Sequence, residues 1–107
     1  MSASTELTNQ IIQYIYERGG YAWRANSVGV FDTKLARFRA SAKKGVADVL
    51  SCFKGRLVAV EVKIGVDRLS PEQEGFLSNI RHTGGYAIVA KEFEEFKEDW
   101  KLMELST

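Results

Sequence analysis

Residues 45–64 read GVADVLSCFKGRLVAVEVKI, and the fold turns on them. Two strand-like runs flank Lys54-Gly55. Glycine suits the positive φ that tight two-residue hairpin loops demand. If those two residues form the loop, Phe53 faces Arg56, and Asp48 falls opposite Glu61. Directly opposed residues share a face, with Cβ atoms roughly 4.5–5.5 Å apart. Two carboxylates so placed repel, and like charges across a strand pair destabilise it. A divalent cation between them reverses the sign. Lys63 lies two residues beyond Glu61 and shares its face by the period of a strand.

The second strand carries Val58, Val60, Val62 and Ile64 on one face and Leu57, Ala59, Glu61 and Lys63 on the other. Apolar residues on both sides point to a strand inside a sheet covered by helices. On the N-terminal side, Ser4 is the expected cap of a helix reaching about Arg18, which Gly19-Gly20 ends. Leu7, Ile11 and Ile15 form its buried stripe, with Glu6, Gln10 and Gln13 on a more polar one. A strand is expected over 21–26, with Tyr21 and Trp23 on one face and Arg24 and Asn26 on the other. Residues 27–45 resist assignment and read as a poorly ordered basic flap or a short helix-like turn near Leu35. Long structureless stretches in small domains tend to be functional.

On the C-terminal side, Ser70-Pro71-Glu72-Gln73 is a helix start, with serine as cap, proline in the first turn and glutamine at the third helical position. Phe76, Leu77 and Ile80 supply its buried stripe, and Gly84-Gly85 stops it. A short buried strand follows over 86–90. A last helix runs over 92–105, with Phe93, Phe96, Trp100 and Met103 on one side. The order is α-β-β-β-α-β-α, an α/β fold with a mixed β-sheet flanked by helices.

The chain has 107 residues, the size of one compact domain, and 45% of them are hydrophobic. Cys52 is the one cysteine, so no internal disulfide is possible, which fits a reducing cytosol. No apolar run reaches the ~20 residues of a membrane span, and MSASTELTNQ lacks a signal-peptide pattern. The net charge of +1 conceals an asymmetry. From Arg18 to Arg56 nine Lys or Arg stand against Asp32 and Asp48, whereas the end of the chain is acidic. A concentrated basic segment suits a polyanion, although charge runs are usually solvated surface. Arg24, Lys34, Arg37, Arg39, Lys43 and Lys44 are the candidate DNA-binding residues.

An Asp, a Glu and a Lys on one hairpin suit metal-dependent splitting of phosphodiesters. Mg²⁺ takes oxygen ligands, commonly one or two carboxylates plus substrate phosphate. It stabilises phosphate charge and lowers the pKa of bound water. Asp48 and Glu61 are the candidate metal ligands, and the Val62 carbonyl a third. Lys63 would orient the attacking water or neutralise transition-state charge. Plainer roles exist for others. Gln73 stands where a capping-box partner of Ser70 belongs, and Glu6 is a first-turn acid that suits the helix dipole. His82 reads as a surface residue and Cys52 as packing.

Gly45-Val46-Ala47-Asp48, then Glu61-Val62-Lys63, then Ser70-Pro71-Glu72-Gln73 resembles the VRR-NUC domain of the PD-(D/E)XK nuclease superfamily. The resemblance runs from Glu6 through the strand at 86–90 and is to the stand-alone phage and bacterial members. It implies a single nuclease domain over 1–107 with a restriction-endonuclease-like fold. It also implies Mg²⁺- or Mn²⁺-dependent DNA cleavage in the cytoplasm of a bacterial cell or phage-infected host, with no small-molecule cofactor. By position Asp48 and Glu61 match the family's metal ligands and Lys63 its catalytic lysine. Gln73 matches its motif glutamine, and Glu6 the acid many members carry on the first helix. Ala47 departs from it, standing where proline is frequent. The resemblance further implies a homodimer that resolves four-way (Holliday) junctions, since a two-fold symmetric substrate needs two matched cuts. Phe96 and Trp100 could serve the dimer or pack on the sheet. The alternatives are a non-catalytic module that binds branched DNA or a partner protein, and a nuclease preferring flaps, nicks or plain duplex.

Overall fold

The computed structural model describes residues 1–25, 30–32, 37–39 and 44–107, the two middle segments by their backbone alone. Its elements in chain order are α1 (Ala3–Glu17), β1 (Tyr21–Arg24), β2 (Val30–Asp32), β3 (Arg37–Arg39), β4 (Val49–Phe53), β5 (Arg56–Val62), α2 (Pro71–His82), β6 (Tyr86–Ala90) and α3 (Phe93–Leu105). Four strands form one mixed sheet in the order β1-β4-β5-β6. β1 and β5 run antiparallel to β4, and β6 runs parallel to β5. This sheet and its helices follow the expected order α-β-β-β-α-β-α.

The hairpin at the centre forms as its turn residues require. Lys54 and Gly55 both have positive φ, at 50° and 78°, so the loop is of the type whose twist matches the flanking strands. Phe53 pairs with Arg56, and the ladder continues to Val49 opposite Val60. It stops there. Asp48 lies in a bend just before β4, not in the strand as the extrapolated register implies. The chain turns at Gly45, where φ is +78°. A Cβ there would collide with the backbone of Glu72, and would lie 2.9 Å from the amide nitrogen of Gln73. Glycine thus lets the approach to β4 press against the first turn of α2.

Helices cover both faces of β5. On one side Leu7, Ile11 and Ile15 of α1 and Phe96 and Trp100 of α3 close over Val49, Val58 and Val60. On the other, Leu77 of α2 packs with Ala47 and Ala59. Burying each of the Val, Leu and Ile side chains stabilises the fold by about 1.5–3 kcal/mol. Phe96 and Trp100 are fully buried. They belong to the sheet's core, so the dimer role considered for them is excluded. The Trp100 indole N–H donates to Glu104 Oε1 at 2.7 Å.

Three further expectations are corrected. The cap of α1 is Ser2, whose Oγ accepts from the Thr5 amide at 3.2 Å, whereas Ser4 is already helical. Cys52 is exposed rather than packed, because α2 covers the β5–β6 half of its face and not the part near β1. Tyr21 and Trp23 share that uncovered face and are exposed, while Ala22 turns to the core. Within 27–45, β2 and β3 form a separate antiparallel ribbon, pairing Phe31 with Phe38 and Asp32 with Arg37. Alternation in Val30-Phe31-Asp32 and Arg37-Phe38-Arg39 was the signal for it, obscured by the surrounding cations. The turn expected at Leu35, and Asn26 of the first strand, lie outside the described residues.

Candidate active site

Asp48 is held from two sides. Its backbone carbonyl accepts from the Ala25 amide at 3.0 Å, extending the β1 ladder by one bond. Its side-chain Oδ2 accepts from the Val62 amide at 2.8 Å, taking the place of the ladder partner that β4 no longer supplies. This aims the carboxylate across the end of β5, toward Glu61. The two acids therefore meet as the hairpin register implies, but through a side chain on a bend.

Glu61 is 1% exposed. It lies on the α2 side of β5, where Gln73 Nε2 donates to its Oε1 at 3.1 Å. Gln73 is fixed in turn by the capping box: its amide donates to Ser70 Oγ at 3.1 Å, and its Oε1 accepts from the Ser70 amide at 2.9 Å. One glutamine thus closes the helix end and positions the acid. Lys63 Nζ stands 4.0 Å from the same Oε1, an ion pair at the limit of contact. Glu61 Oε2 is buried with no hydrogen-bond donor among the described residues.

Burial is the main cause that pushes the Glu61 carboxyl up to about 8. The hydrogen bond and negative charge of Asp48 push the same way, and Lys63 opposes them. Protonated, Glu61 shares a hydrogen bond with Asp48; ionised, it leaves Oε2 buried without a donor, which is costly unless something occupies it. A hard divalent cation fits: the donors are carboxylate oxygens, and such ions accept one or two of them and fill the remainder with water or phosphate. No cluster of three or more His, Cys, Asp or Glu that could hold a metal occurs among the described residues. The cradle is a two-carboxylate one, and Val62 also lines it.

The cleft over these groups has a volume of about 240 Å³. Arg24 reaches it from the end of β1, Asp67 from the loop after β5, and Ser4, Thr5 and Thr8 from α1. Glu6 does not line it and is exposed. At 100° per residue, position 6 points about 200° away from positions 4 and 8, which face the cleft. Sequence reasoning passed over the three hydroxyls and Asp67. The i, i+4 spacing of Ser4 and Thr8 was the available signal. Of the basic candidates, Arg24 is at the cleft and Lys44 is exposed. Lys34 and Lys43 lie outside the described residues, and Arg37 and Arg39 are described only as backbone of β3. His82 is exposed on α2, its Nδ1 3.3 Å from Ser78 Oγ.

No family model matches the chain, and no curated protein matches it. Among solved structures it is similar to Hjc, a Holliday junction resolvase from the archaeal hyperthermophile Archaeoglobus fulgidus. The TM-score is 0.57 and the identity 22%, over 82% of this chain and 67% of that one. At that identity the likeness shows the fold alone, here a mixed sheet flanked by helices.

Proposed function

We propose that residues 1–107 form a divalent-metal-dependent endonuclease domain that cuts branched DNA, of the VRR-NUC branch of the PD-(D/E)XK superfamily. The observation that carries this reading is the convergence of Asp48, Glu61, Lys63 and Gln73 around a buried carboxylate oxygen with no donor. The similarity to a Holliday junction resolvase supports the choice of a four-way junction as substrate, and the two-fold symmetry of such a junction, which needs two matched cuts, supports a homodimer as the acting form. The fold and the lone cysteine fit action in the cytoplasm of a bacterial or phage-infected cell. No helix among the described residues is long and apolar enough to cross a membrane.

Asp48 and Glu61, with the Val62 carbonyl, would hold Mg²⁺ or Mn²⁺. The bound ion would supply charge stabilisation for the phosphate and a water of lowered pKa. Gln73 keeps Glu61 Oε1 in place, leaving Oε2 for a ligand. The Lys63 ammonium stands where it can orient the attacking water or stabilise charge growing on the phosphate. Arg24 and the Thr5 hydroxyl offer donors to the backbone of the cut strand, contacts that position without reading sequence, whereas the Thr8 hydroxyl donates to the Ser4 carbonyl at 2.7 Å.

The test is incubation of labelled four-way junction with Mg²⁺ or Mn²⁺, with Lys63→Ala as control. Wild type should cut, and the variant should lose about 10²-fold or more in rate while staying folded and still binding DNA. Cleavage by Lys63→Ala at the wild-type rate refutes the assignment of that residue. Binding of the junction with no product in either metal refutes the nuclease.

A further inference from the structure

A second cleft opens beside the first, at the carboxyl ends of the two parallel strands. Lys63 follows β5 and Lys91 follows β6, and the Lys63 amide donates to the Ala90 carbonyl at 2.9 Å, which ties those ends together. In open α/β sheets, ligands sit in the crevice outside the carboxyl ends of strands. This crevice measures about 590 Å³, within the roughly 300–1,000 Å³ of small-ligand sites. Lys63, Arg68 and Lys91 bring three cations to it, and Leu69 and Val89 form an apolar wall. Asp67 and Glu74 supply acceptors. Neither Arg68 nor Lys91 forms an ion pair among the described residues. Lys63 and Asp67 also line the acid cleft, so the two spaces adjoin.

That combination matches one nucleotide. Cations suit its phosphate, an apolar wall suits the face of a base, and carboxylates accept from exocyclic amino groups. A base inside a duplex has both faces covered, and enzymes reach it by taking it out of the stack. The cost is least where it is already unpaired. We infer that the crevice of Arg68 and Lys91 holds an unstacked nucleotide of the cut strand, next to the phosphate in the acid cleft, so that the enzyme prefers to cut beside an unpaired base. This rests on the nuclease reading above and names the feature of the branch that is recognised.

The experiment places 2-aminopurine, whose emission rises on unstacking, at successive positions around the branch of a junction and a flap. Protein is added in chelator and emission is read. A parallel reaction with Mn²⁺ maps the cuts. The expected result is a several-fold rise at one position flanking the cut, lost in the Arg68→Ala/Lys91→Ala variant, both of whose sites are exposed and tolerate truncation. Cleavage without any such rise overturns the inference and leaves the nuclease standing. A rise that persists in the double variant also overturns it, because the base is then unstacked elsewhere. A rise without cleavage supports the crevice and overturns the nuclease. Absence of both cutting and binding overturns the two together.

Discussion

Glu61 is a carboxyl held protonated by where it stands. Its value of about 8 lies above the 4.5 of an ordinary glutamate, chiefly because burial penalises the charged form. The folded protein therefore keeps a proton that the unfolded chain gives up. Between about pH 4.5 and about pH 8 the unfolded state binds fewer protons, so stability falls as pH rises and levels off above the folded value. The slope approaches ~1.4 kcal/mol per pH unit where the difference is a full proton. Urea denaturation in chelator across that window should show the decline, and Glu61→Gln should flatten it; a slope as steep as wild type in that variant rules out Glu61 as its source. In the same assay Asp48→Asn should raise stability near about pH 8, because it removes the facing charge while an amide oxygen still accepts from Val62. If the acids hold a metal, Mn²⁺ should raise the melting temperature of the wild type, and Asp48→Asn should abolish that rise. The pairing of these acids was legible from Lys54-Gly55 and the strand period. The bend at Asp48 was not, because a carboxylate that reaches an amide as a strand partner would leaves no mark in a two-residue repeat.

At the scale of elements, α2 carries the site as much as the hairpin does. Its start at Ser70-Pro71 was legible, since capping is settled within four residues. That Gln73 would serve the cap and Glu61 together was legible only as two separate roles. Their union depends on how close α2 comes, and Gly45 sets that closeness. Gly45→Ala should cost about 1–3 kcal/mol through its left-handed backbone and the collision with Glu72. It should also weaken Mn²⁺ binding, read by calorimetry, since α2 would be pushed from Glu61. Unchanged stability and metal affinity in that variant disprove the contact. The cap of α1 was misplaced by two residues because Ser2 and Ser4 are equally good candidates locally. The hydrogen bond from Thr5 decides between them. The ribbon of β2 and β3 was missed because three-residue strands carry too few positions for an alternation to stand out among charges.

For the whole molecule, the balance lies in what α3 covers. Trp100 meets Phe53 at 5.2 Å between ring centres, in an edge-on arrangement, and is fully buried. Trp100→Ala should lose about 3–5 kcal/mol, a large part of the 5–15 kcal/mol typical of a domain. Leu102→Ala on the same helix, where the side chain is 66% exposed, should stay within about 0.5 kcal/mol. Equal losses in the two, by urea denaturation, contradict the orientation of α3. The sequence by itself determined the turn at Lys54-Gly55, the strand period, the helix start at Ser70 and hence the meeting of Asp48, Glu61 and Lys63. Those follow from backbone sterics and hydrogen bonds acting across a few residues. Only the tertiary structure decided that Phe96 and Trp100 are core, that Cys52 is open, that Glu61 is buried, and that Arg68 and Lys91 line a crevice beside the acid cleft. Exclusion of water at a point is set by segments distant in the chain packing over it, and no local pattern records which ones arrive.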